Sequence, residues 1–238
     1  MNLTERIDRL GALRSASGFS EGYPNRFEAG RALARELTQY RNRPDTIVLA
    51  LPRGGVPVAF EVALALAVPL DILVVKKIAL PGYEEMAVGA AAGDGVVVLD
   101  EELLARLGVS DWAVQQMAQT SLVEVDRRER TYRNHRPPPA IQGRTVILVD
   151  DGLATGSTMR VAVAALRRKG PARIVVAVPV ASSESVSDVK ALADEVVCAH
   201  IPDPFYAVGL WYDDFSQTSD REVRALLETA AARSLGAP

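Results

Sequence analysis

Cysteine is nearly absent from this chain. The single cysteine, Cys198, excludes an intrachain disulfide and any zinc site built from several cysteines. It lies in the apolar run 195–199, so we expect a small buried side chain without a chemical role. The two histidines, His135 and His200, are isolated in the sequence and form no metal-binding pattern.

Long apolar runs and a strong charge imbalance are also missing. The run Val62–Leu70 contains Pro69 and is followed by Asp71, so it falls far short of the roughly 20 residues that a membrane span needs. The first ten residues, MNLTERIDRL, interrupt their apolar positions with charges, and we expect no secretory leader. A net charge of -3 gives no general attraction to nucleic acid or acidic lipid. We therefore expect a cytoplasmic protein with neither membrane nor nucleic-acid partners.

The chain instead shows an alternation of apolar runs with segments of helical periodicity. Asn25 and Glu28 resemble a capping box that begins the first helix. Strands are predicted at Thr46–Leu51, Asp71–Val75, Thr145–Val149, Arg173–Val180 and Glu195–Ala199, and helices at Val58–Ala67, Glu101–Leu107, Ser110–Asn134, Thr158–Lys169, Ser183–Ala193 and Asp220–Ala232. This order predicts an α/β fold with a parallel sheet covered by helices on both faces. We expect one domain over residues 1–238, with a core at about 25–200 and a small C-terminal part at about 201–238.

One stretch between the second predicted strand and the next helix has little periodicity. Ile78–Gly95 is rich in glycine and alanine, which is typical of a mobile loop or a loose hairpin. Val96–Leu99 is placed to close such a hairpin. Glu84 and Glu85 lie within the stretch, and we interpret them as solvated loop acids.

The most informative segment follows the predicted strand at Thr145–Val149. This strand delivers Asp150 and Asp151 to the edge of the sheet where open parallel sheets bind ligands. Small or hydroxylated residues then lead into a helix, so the turn can aim backbone N–H groups at a phosphate. The paired carboxylates suit sugar hydroxyls, or a magnesium ion bound to them. The combination predicts a ligand with a diol near a monophosphate, such as a ribose 5-phosphate.

Rival interpretations of this segment lack their own motifs. A P-loop requires G-x-x-x-x-G-K-[ST], but no lysine follows Gly156. A dinucleotide fold requires G-x-G-x-x-G after a strand, and none occurs. A turn without a ligand stays open as an alternative, although two adjacent carboxylates at a strand end cost stability unless something uses their charge.

The segment Val146–Met159, VILVDDGLATGSTM, resembles the phosphoribosyl pyrophosphate signature of the type I phosphoribosyltransferases. The resemblance covers about Arg26 to Val180 and continues more loosely into the C-terminal part, and the whole chain is similar to a group known as predicted phosphoribosyltransferases. It implies a Rossmann-like parallel sheet with a small C-terminal hood. It also implies a magnesium-dependent transfer of the phosphoribosyl group to a nitrogen acceptor of the nucleobase class, as in nucleotide salvage, with release of pyrophosphate, and a homodimer.

The same resemblance assigns roles to particular residues. Asp150 and Asp151 would hold the ribose hydroxyls, partly through Mg²⁺. The residues that would hold the 5-phosphate are Ala154, Thr155, Gly156, Ser157 and Thr158. The pyrophosphate loop would be formed by Arg53, Gly54 and Gly55, where glycines let backbone amides approach an anion and Arg53 offers a forked charge. Lys76 and Lys77 resemble a basic pair at the end of the second strand, of which one would reach pyrophosphate while the other is solvated. The stretch Ile78–Gly95 would be the family's mobile catalytic loop.

Two features of the sequence bear on the acceptor. Phosphoribosyltransferases acting on 6-oxopurines often carry an aspartate where this chain has Ala154, so the loop is closer to the adenine-type version. In the hood, Phe205 and Tyr206 resemble a platform that stacks the base. Core packing of Phe205 and Trp211 is an equally supported interpretation.

A run of charges on the long predicted helix allows two interpretations. The segment Arg127–Arg133, which includes Tyr132, is typical of a solvated helix face with ion pairs. Alternatively, it is a wall that contributes cations to the ligand edge or to a dimer partner.

A non-catalytic binding protein is the alternative to an enzyme. A relative that keeps the donor-binding loop but acts as a ligand-sensing regulator would share this signature. A regulator that binds nucleic acid should carry an added domain or a basic face, and we expect neither in this acidic chain. The sequence also lacks the motifs of a hydrolase or kinase of the same fold class.

Overall fold

Two sheets organise the chain in the computed structural model, which describes residues 22–80 and 83–235, with the side chains of 83–86 and 234–235 left undescribed. The side chains of the predicted loop acids Glu84 and Glu85 therefore lie outside the description, as do residues 81 and 82 entirely. The strands are β1 Thr46–Ala50, β2 Leu70–Ile72, β3 Val75–Leu80, β4 Tyr83–Ala92, β5 Val96–Leu99, β6 Thr145–Val149, β7 Arg173–Val180 and β8 Glu195–His200. The α-helices are α1 Arg26–Arg35, α2 Gly55–Leu66, α3 Glu101–Arg106, α4 Asp111–Arg133, α5 Ser157–Arg167, α6 Ser183–Lys190 and α7 Asp220–Leu235.

The main sheet has five parallel strands in the order β2-β1-β6-β7-β8. Neighbouring residues of β1 pack into different hydrophobic clusters: Val48 and Ala50 belong to one, Ile47 and Leu49 to the other. Because successive side chains of a strand point to opposite faces, apolar layers cover both sides of the sheet. The predicted α/β fold is confirmed.

The glycine-rich stretch forms a second, antiparallel sheet in the order β3-β4-β5. Val75 pairs with Ala92, Gly89 with Leu99, and the register shifts after Ile78. The hairpin interpretation is therefore correct and the loop interpretation wrong. The predicted strand Asp71–Val75 is also wrong in detail, because β2 ends at Ile72 and Val75 begins the second sheet. Lys76 and Lys77 consequently lie inside β3 instead of ending a strand of the main sheet.

The C-terminal part packs against the start of α1. Asn25 caps this helix, its Oδ1 accepting from the N–H groups of Phe27 and Glu28. Just before it, the Tyr23 N–H donates to the Trp211 carbonyl, and the Asp213 N–H donates to the Tyr23 carbonyl. These bonds hold the segment around Trp211 beside the ligand edge of the main sheet.

A buried ion pair fastens α4 to β2. The Arg133 side chain is 6% exposed and binds Asp71 at 2.7 Å and Glu129 at 2.9 Å. It also donates to the Ile72 carbonyl at 2.9 Å. Since a buried guanidinium needs all these acceptors, the C-terminal end of α4 is held in one position against the sheet. Within residues 22–80 and 83–235, no helix is both long and apolar enough to span a bilayer.

We predict that Asp71→Ala destabilises the fold by about 3 kcal/mol, because Arg133 would stay buried with one carboxylate partner fewer. Chemical denaturation monitored by circular dichroism measures the change. Asp126→Ala is the matched control, since Asp126 pairs with Arg130 on the exposed face of the same helix and should cost almost nothing. Equal stabilities of the two variants would contradict the anchoring role of Arg133.

Candidate active site

The turn between β6 and α5 presents unbonded backbone amides. The N–H groups of Ala154, Thr155, Gly156 and Thr158 make no hydrogen bond to the residues that the structure describes. Gly156 has a φ of 66°, a left-handed conformation that glycine adopts without strain. These amides border a cavity of about 200 Å³ lined by the whole turn, Asp150 and Val208. A helix N-terminus with several free amides is an anion-binding site.

Side chains behind the turn fix the direction of these amides. Ser182 Oγ donates to the Ala154 carbonyl at 3.1 Å, and Ser185 Oγ donates to the Leu153 carbonyl at 3.3 Å. In a trans peptide the C=O and N–H point in opposite directions. Holding these two carbonyls therefore turns the N–H groups of Ala154 and Thr155 away from α6. Neither serine was predicted, because each lies about 30 residues along the chain from its partner.

The two acids at the end of β6 have different partners. Asp151 Oδ2 accepts from Arg26 Nε at 2.8 Å, in an ion pair whose side chains are 11% and 17% exposed. Within the part of the chain that the structure describes, Asp150 Oδ1 accepts only the Asp151 N–H, at 2.8 Å. Burial raises the pKa of Asp150 well above the usual carboxyl range, and the neighbouring charge of Asp151 adds to the shift. Burial also raises the pKa of Asp151, although Arg26 opposes that change.

Arg26 was missed by the sequence analysis. Its Nη1 donates to the Ser216 carbonyl at 2.7 Å, and its guanidinium lies 4.0 Å from the centre of the Phe215 ring. One residue thus joins the acid pair to the C-terminal part. Arg26 already compensates the charge of Asp151, whereas Asp150 has no cationic partner among the described residues. The ligand role of the two carboxylates stays a prediction.

The loop after β1 packs directly against these acids. A Cβ atom on Gly54 would collide with Asp151 Oδ2, and one on Gly55 would lie 2.8 Å from the Val149 carbonyl oxygen and 2.9 Å from Asp150 Cα. Only glycine fits at both positions. The structure therefore brings the two predicted loops together at one edge of the main sheet. Arg53, next in the chain to Gly54, projects toward Asp220, with 3.7 Å between Nη1 and Oδ1.

The two lysines of β3 lie on different sides of their strand. Lys77 Nζ donates to Ser157 Oγ at 2.7 Å, at the start of α5. Lys76 pairs with Glu124 of α4. This agrees with the alternation of side chains along a strand. Both side chains are half-buried and each has a protein partner, and the contact of one of them with pyrophosphate stays a prediction.

Comparison with known proteins agrees with this geometry. The sequence profile of the phosphoribosyl transferase domain matches residues 22–213. The chain belongs to the phosphoribosyl transferase family. A putative phosphoribosyl transferase from Mycobacterium tuberculosis is 42% identical over 208 residues, which cover 87% of this chain and 47% of that protein. The chain therefore spans about half the length of these relatives.

A solved structure matches this chain over nearly the whole length of the solved protein. The crystal structure of TT1426 from Thermus thermophilus is 42% identical, covers 87% of this chain and 97% of that chain, and superposes with a TM-score of 0.77. A uracil phosphoribosyltransferase from Lactobacillus gasseri is 36% identical over 94 residues, or 37% of this chain and 45% of that protein. Together with the parallel sheet, these matches identify the type I phosphoribosyltransferase fold.

The aromatic residues predicted as a base platform do not line the cavity at this turn. Phe205 packs against the buried cluster of Tyr23, Trp211 and Tyr212, and Tyr206 is 64% exposed. Core packing is thus the observed arrangement for Phe205 and Trp211. No part of the cavity lining comes from Phe205 or Tyr206, and their stacking role stays a prediction.

Two other C-terminal residues contact the site instead. The Val208 side chain lies against Gly152, where an added Cβ would come within 2.5 Å of Val208 Cγ1. Tyr212 Oη donates to the Asp151 carbonyl at 2.6 Å. Neither residue belongs to a motif, and only the tertiary fold shows their position.

A larger cavity, of about 560 Å³, is lined by none of the predicted site residues. It lies between the turn at Gly93–Gly95 and the last turns of α4, and Glu129 and Arg136 line it.

Cys198 has no role in the candidate chemistry. The residue is half-buried, and its Sγ donates to the His200 carbonyl at 3.1 Å. Burial raises the pKa of the thiol to about 11. At neutral pH this thiol stays protonated and is not a nucleophile.

We predict that Asp150→Asn raises the melting temperature. Asp150 is half-buried beside a second carboxylate and has one hydrogen-bond donor among the described residues, so that its ionised form is costly. The neutral amide removes this cost while keeping an acceptor for the Asp151 N–H. Each kcal/mol gained corresponds to roughly 2–4 °C in a chain of this size. Differential scanning calorimetry of the ligand-free protein measures it.

The adjacent substitution provides the comparison. Asp151→Asn should lower the melting temperature, because it leaves the partly buried Arg26 guanidinium without its ion-pair partner. A lower melting temperature for Asp150→Asn would mean that the Asp150 charge stabilises the free protein.

Proposed function

We propose that this protein transfers the 5-phosphoribosyl group of phosphoribosyl pyrophosphate to a nitrogen atom of a small acceptor of the nucleobase class, releasing pyrophosphate. The observation that carries the proposal is the turn of free amides at Ala154–Thr158 beside the partner-poor carboxylate of Asp150. A 5-phosphate on the amides and the ribose hydroxyls on the acid satisfy both groups with one ligand. The family match and the fold support the same reaction class.

Binding of the 5-phosphate would use more than the amides. Thr155 Oγ1 donates to Ser157 Oγ at 3.2 Å, and Lys77 Nζ approaches the same hydroxyl at 2.7 Å. A phosphate in the turn would therefore meet hydroxyl donors and one fixed ammonium group. The positive end of the α5 dipole adds to this field. In this arrangement Lys77 serves the phosphate loop and not the pyrophosphate loop.

A magnesium ion fits the chemistry of the acid pair. Mg²⁺ binds carboxylates together with substrate oxygens and waters, so it does not require a cage of protein ligands. Among the described residues no group of three His, Cys, Asp or Glu side chains forms such a cage. Asp150 would supply the main carboxylate, since Asp151 Oδ2 is paired with Arg26. When bound, the ion would neutralise negative charge on the donor.

The transfer itself needs no protein nucleophile. The bond between the anomeric carbon and the pyrophosphate oxygen breaks, and the acceptor nitrogen forms the new bond through an oxocarbenium-like transition state. Negative charge grows on the leaving pyrophosphate, and Arg53 stands beside the glycines that border the acid pair. The side chains of this site would thus bind, orient and stabilise charge.

The identity of the acceptor is proposed only as a class. The cavity at the turn is bordered by Val208, an aliphatic side chain that offers a flat base an apolar contact. The uracil phosphoribosyltransferase that matches 94 residues supports a nucleobase acceptor. Ala154 occupies the position where enzymes acting on 6-oxopurines often carry an aspartate, which favours another base.

Calorimetric titration with phosphoribosyl pyrophosphate in the presence of Mg²⁺ tests the donor site. We expect the unsubstituted protein to bind and Asp150→Asn to lose at least about tenfold in affinity, as for a lost charged hydrogen bond. Because this variant is expected to fold stably, the loss would report on the ligand. Glu102→Gln removes one negative charge on the exposed face of α3 and is the matched control.

A turnover assay then separates the enzyme from a ligand sensor. Pyrophosphate release is measured with a panel of nucleobases, and we expect release with at least one of them. Tight donor binding without release for any base would support the sensor. Undiminished donor affinity in Asp150→Asn would instead remove the acid pair from the site and the proposed function with it.

A further inference from the structure

A second polar cavity lies beside the loop that follows β1. It has a volume of about 260 Å³, and its charged lining consists of Arg53, Arg127, Arg128 and Asp220. We call it the arginine pocket. Tyr132 closes one side, and its hydroxyl donates to Asp220 Oδ1 at 2.9 Å. The pocket therefore joins the loop after β1, the helix α4 and the first residue of α7.

Positive charge dominates this pocket. Three guanidinium groups face one carboxylate, and Arg53 approaches that carboxylate only to 3.7 Å. Arg128 binds Glu124 at 2.8 Å, and Glu124 is shared with Lys76. Arg127 forms no ion pair with any residue that the structure describes. Its charge is thus available for an external anion.

The chemistry of the lining fits an anion with two phosphoryl groups. A guanidinium presents several N–H donors in a plane and binds phosphate oxygens in pairs. Arg53 reaches the pocket from one side and the two arginines of α4 from another. One phosphate would leave part of this charge unused, whereas a pyrophosphate can contact both sides.

The arginine pocket borders the acid pair through the chain itself. Arg53 precedes Gly54, whose position against Asp151 leaves no room for a Cβ atom. Consecutive Cα atoms lie about 3.8 Å apart across a trans peptide, so the backbone of Arg53 lies directly beside that of Gly54. A ligand whose ribose lies at Asp150 therefore has its anomeric substituent within reach of Arg53.

We propose that the arginine pocket binds the pyrophosphate of the donor and of the product, with Arg127 and Arg128 of α4 as substrate contacts in addition to Arg53. This inference rests on the proposed function and assigns two residues to it. The helix is held by the buried pairs of Arg133 with Asp71 and Glu129. The helix backbone that carries Arg127 and Arg128 is therefore held against the sheet before the ligand arrives, so that binding has to order only their side chains.

The test uses two probes on the whole chain, inorganic pyrophosphate and ribose 5-phosphate, each titrated calorimetrically with Mg²⁺ present. Arg127→Gln should weaken pyrophosphate binding about tenfold and leave ribose 5-phosphate binding unchanged. Arg127→Lys should give an intermediate affinity, because it keeps the charge and loses the fork. Arg128→Gln should act in the same direction as Arg127→Gln.

Arg130→Gln is the matched control for charge. Arg130 lies one turn along the same helix, pairs with Asp126 and does not line the arginine pocket. This variant should bind pyrophosphate as the unsubstituted protein does. An equal loss in Arg130→Gln would show a general field of the helix and overturn the assignment of the pocket.

The two probes separate the possible failures. If ribose 5-phosphate binds and Arg127→Gln leaves pyrophosphate affinity unchanged, the pocket assignment is wrong while the donor site stands. If the unsubstituted protein binds neither probe, the proposed function fails and the pocket assignment fails with it.

Discussion

The site depends on the contact between two strand ends, where the loop after β1 lies directly on the acids after β6. Gly54 and Gly55 leave no room for a side chain between the loop and Asp151 or Asp150. Parallel pairing of β1 with β6, residue by residue from Thr46 with Thr145 to Ala50 with Val149, brings these loops to one edge. Without that contact, the free amides of the phosphate turn and the cations beside Arg53 would belong to separate surfaces.

Each charged group at this edge is held by a different part of the chain. Arg26 orients Asp151 from the start of α1, and Ser182 and Ser185 orient the phosphate turn from the start of α6. Arg133 fixes the helix that carries Arg127 and Arg128. Asp150 is poorly compensated when ionised, because among the described residues it accepts a single N–H group, that of Asp151. A protein that retains such a carboxylate carries a stability cost at the position where a ligand would use it.

Elements that depend on the local residue pattern could be predicted from the sequence, whereas site residues placed by contacts between distant parts of the chain could not. A continuous apolar run, followed by two acids and then small residues, predicted β6 and its turn correctly. All parts of this pattern lie within about 15 residues of one another. The stretch after β2 remained undecided between loop and hairpin, because strands rich in alanine and glycine show little alternation.

The positions of individual site residues were harder to predict. Lys76 and Lys77 were expected at a strand end, but β3 belongs to another sheet and turns them to opposite sides. Arg26 lies 125 residues from its partner Asp151, and no motif marks it. Phe205 and Tyr206 drew attention as aromatic residues, while the aliphatic Val208 lies at the cavity.

The most direct test of the account is the response of individual backbone amides to ribose 5-phosphate, followed by ¹H–¹⁵N NMR. The amides of Ala154, Thr155, Gly156 and Thr158 have no acceptor among the described residues, so we expect the largest shifts there. The Leu153 amide is already bonded to the Val180 carbonyl and should change less, and the amides of α3 should not respond. Saturating ribose 5-phosphate that leaves the four turn amides unshifted would contradict the central claim that this turn binds a sugar phosphate.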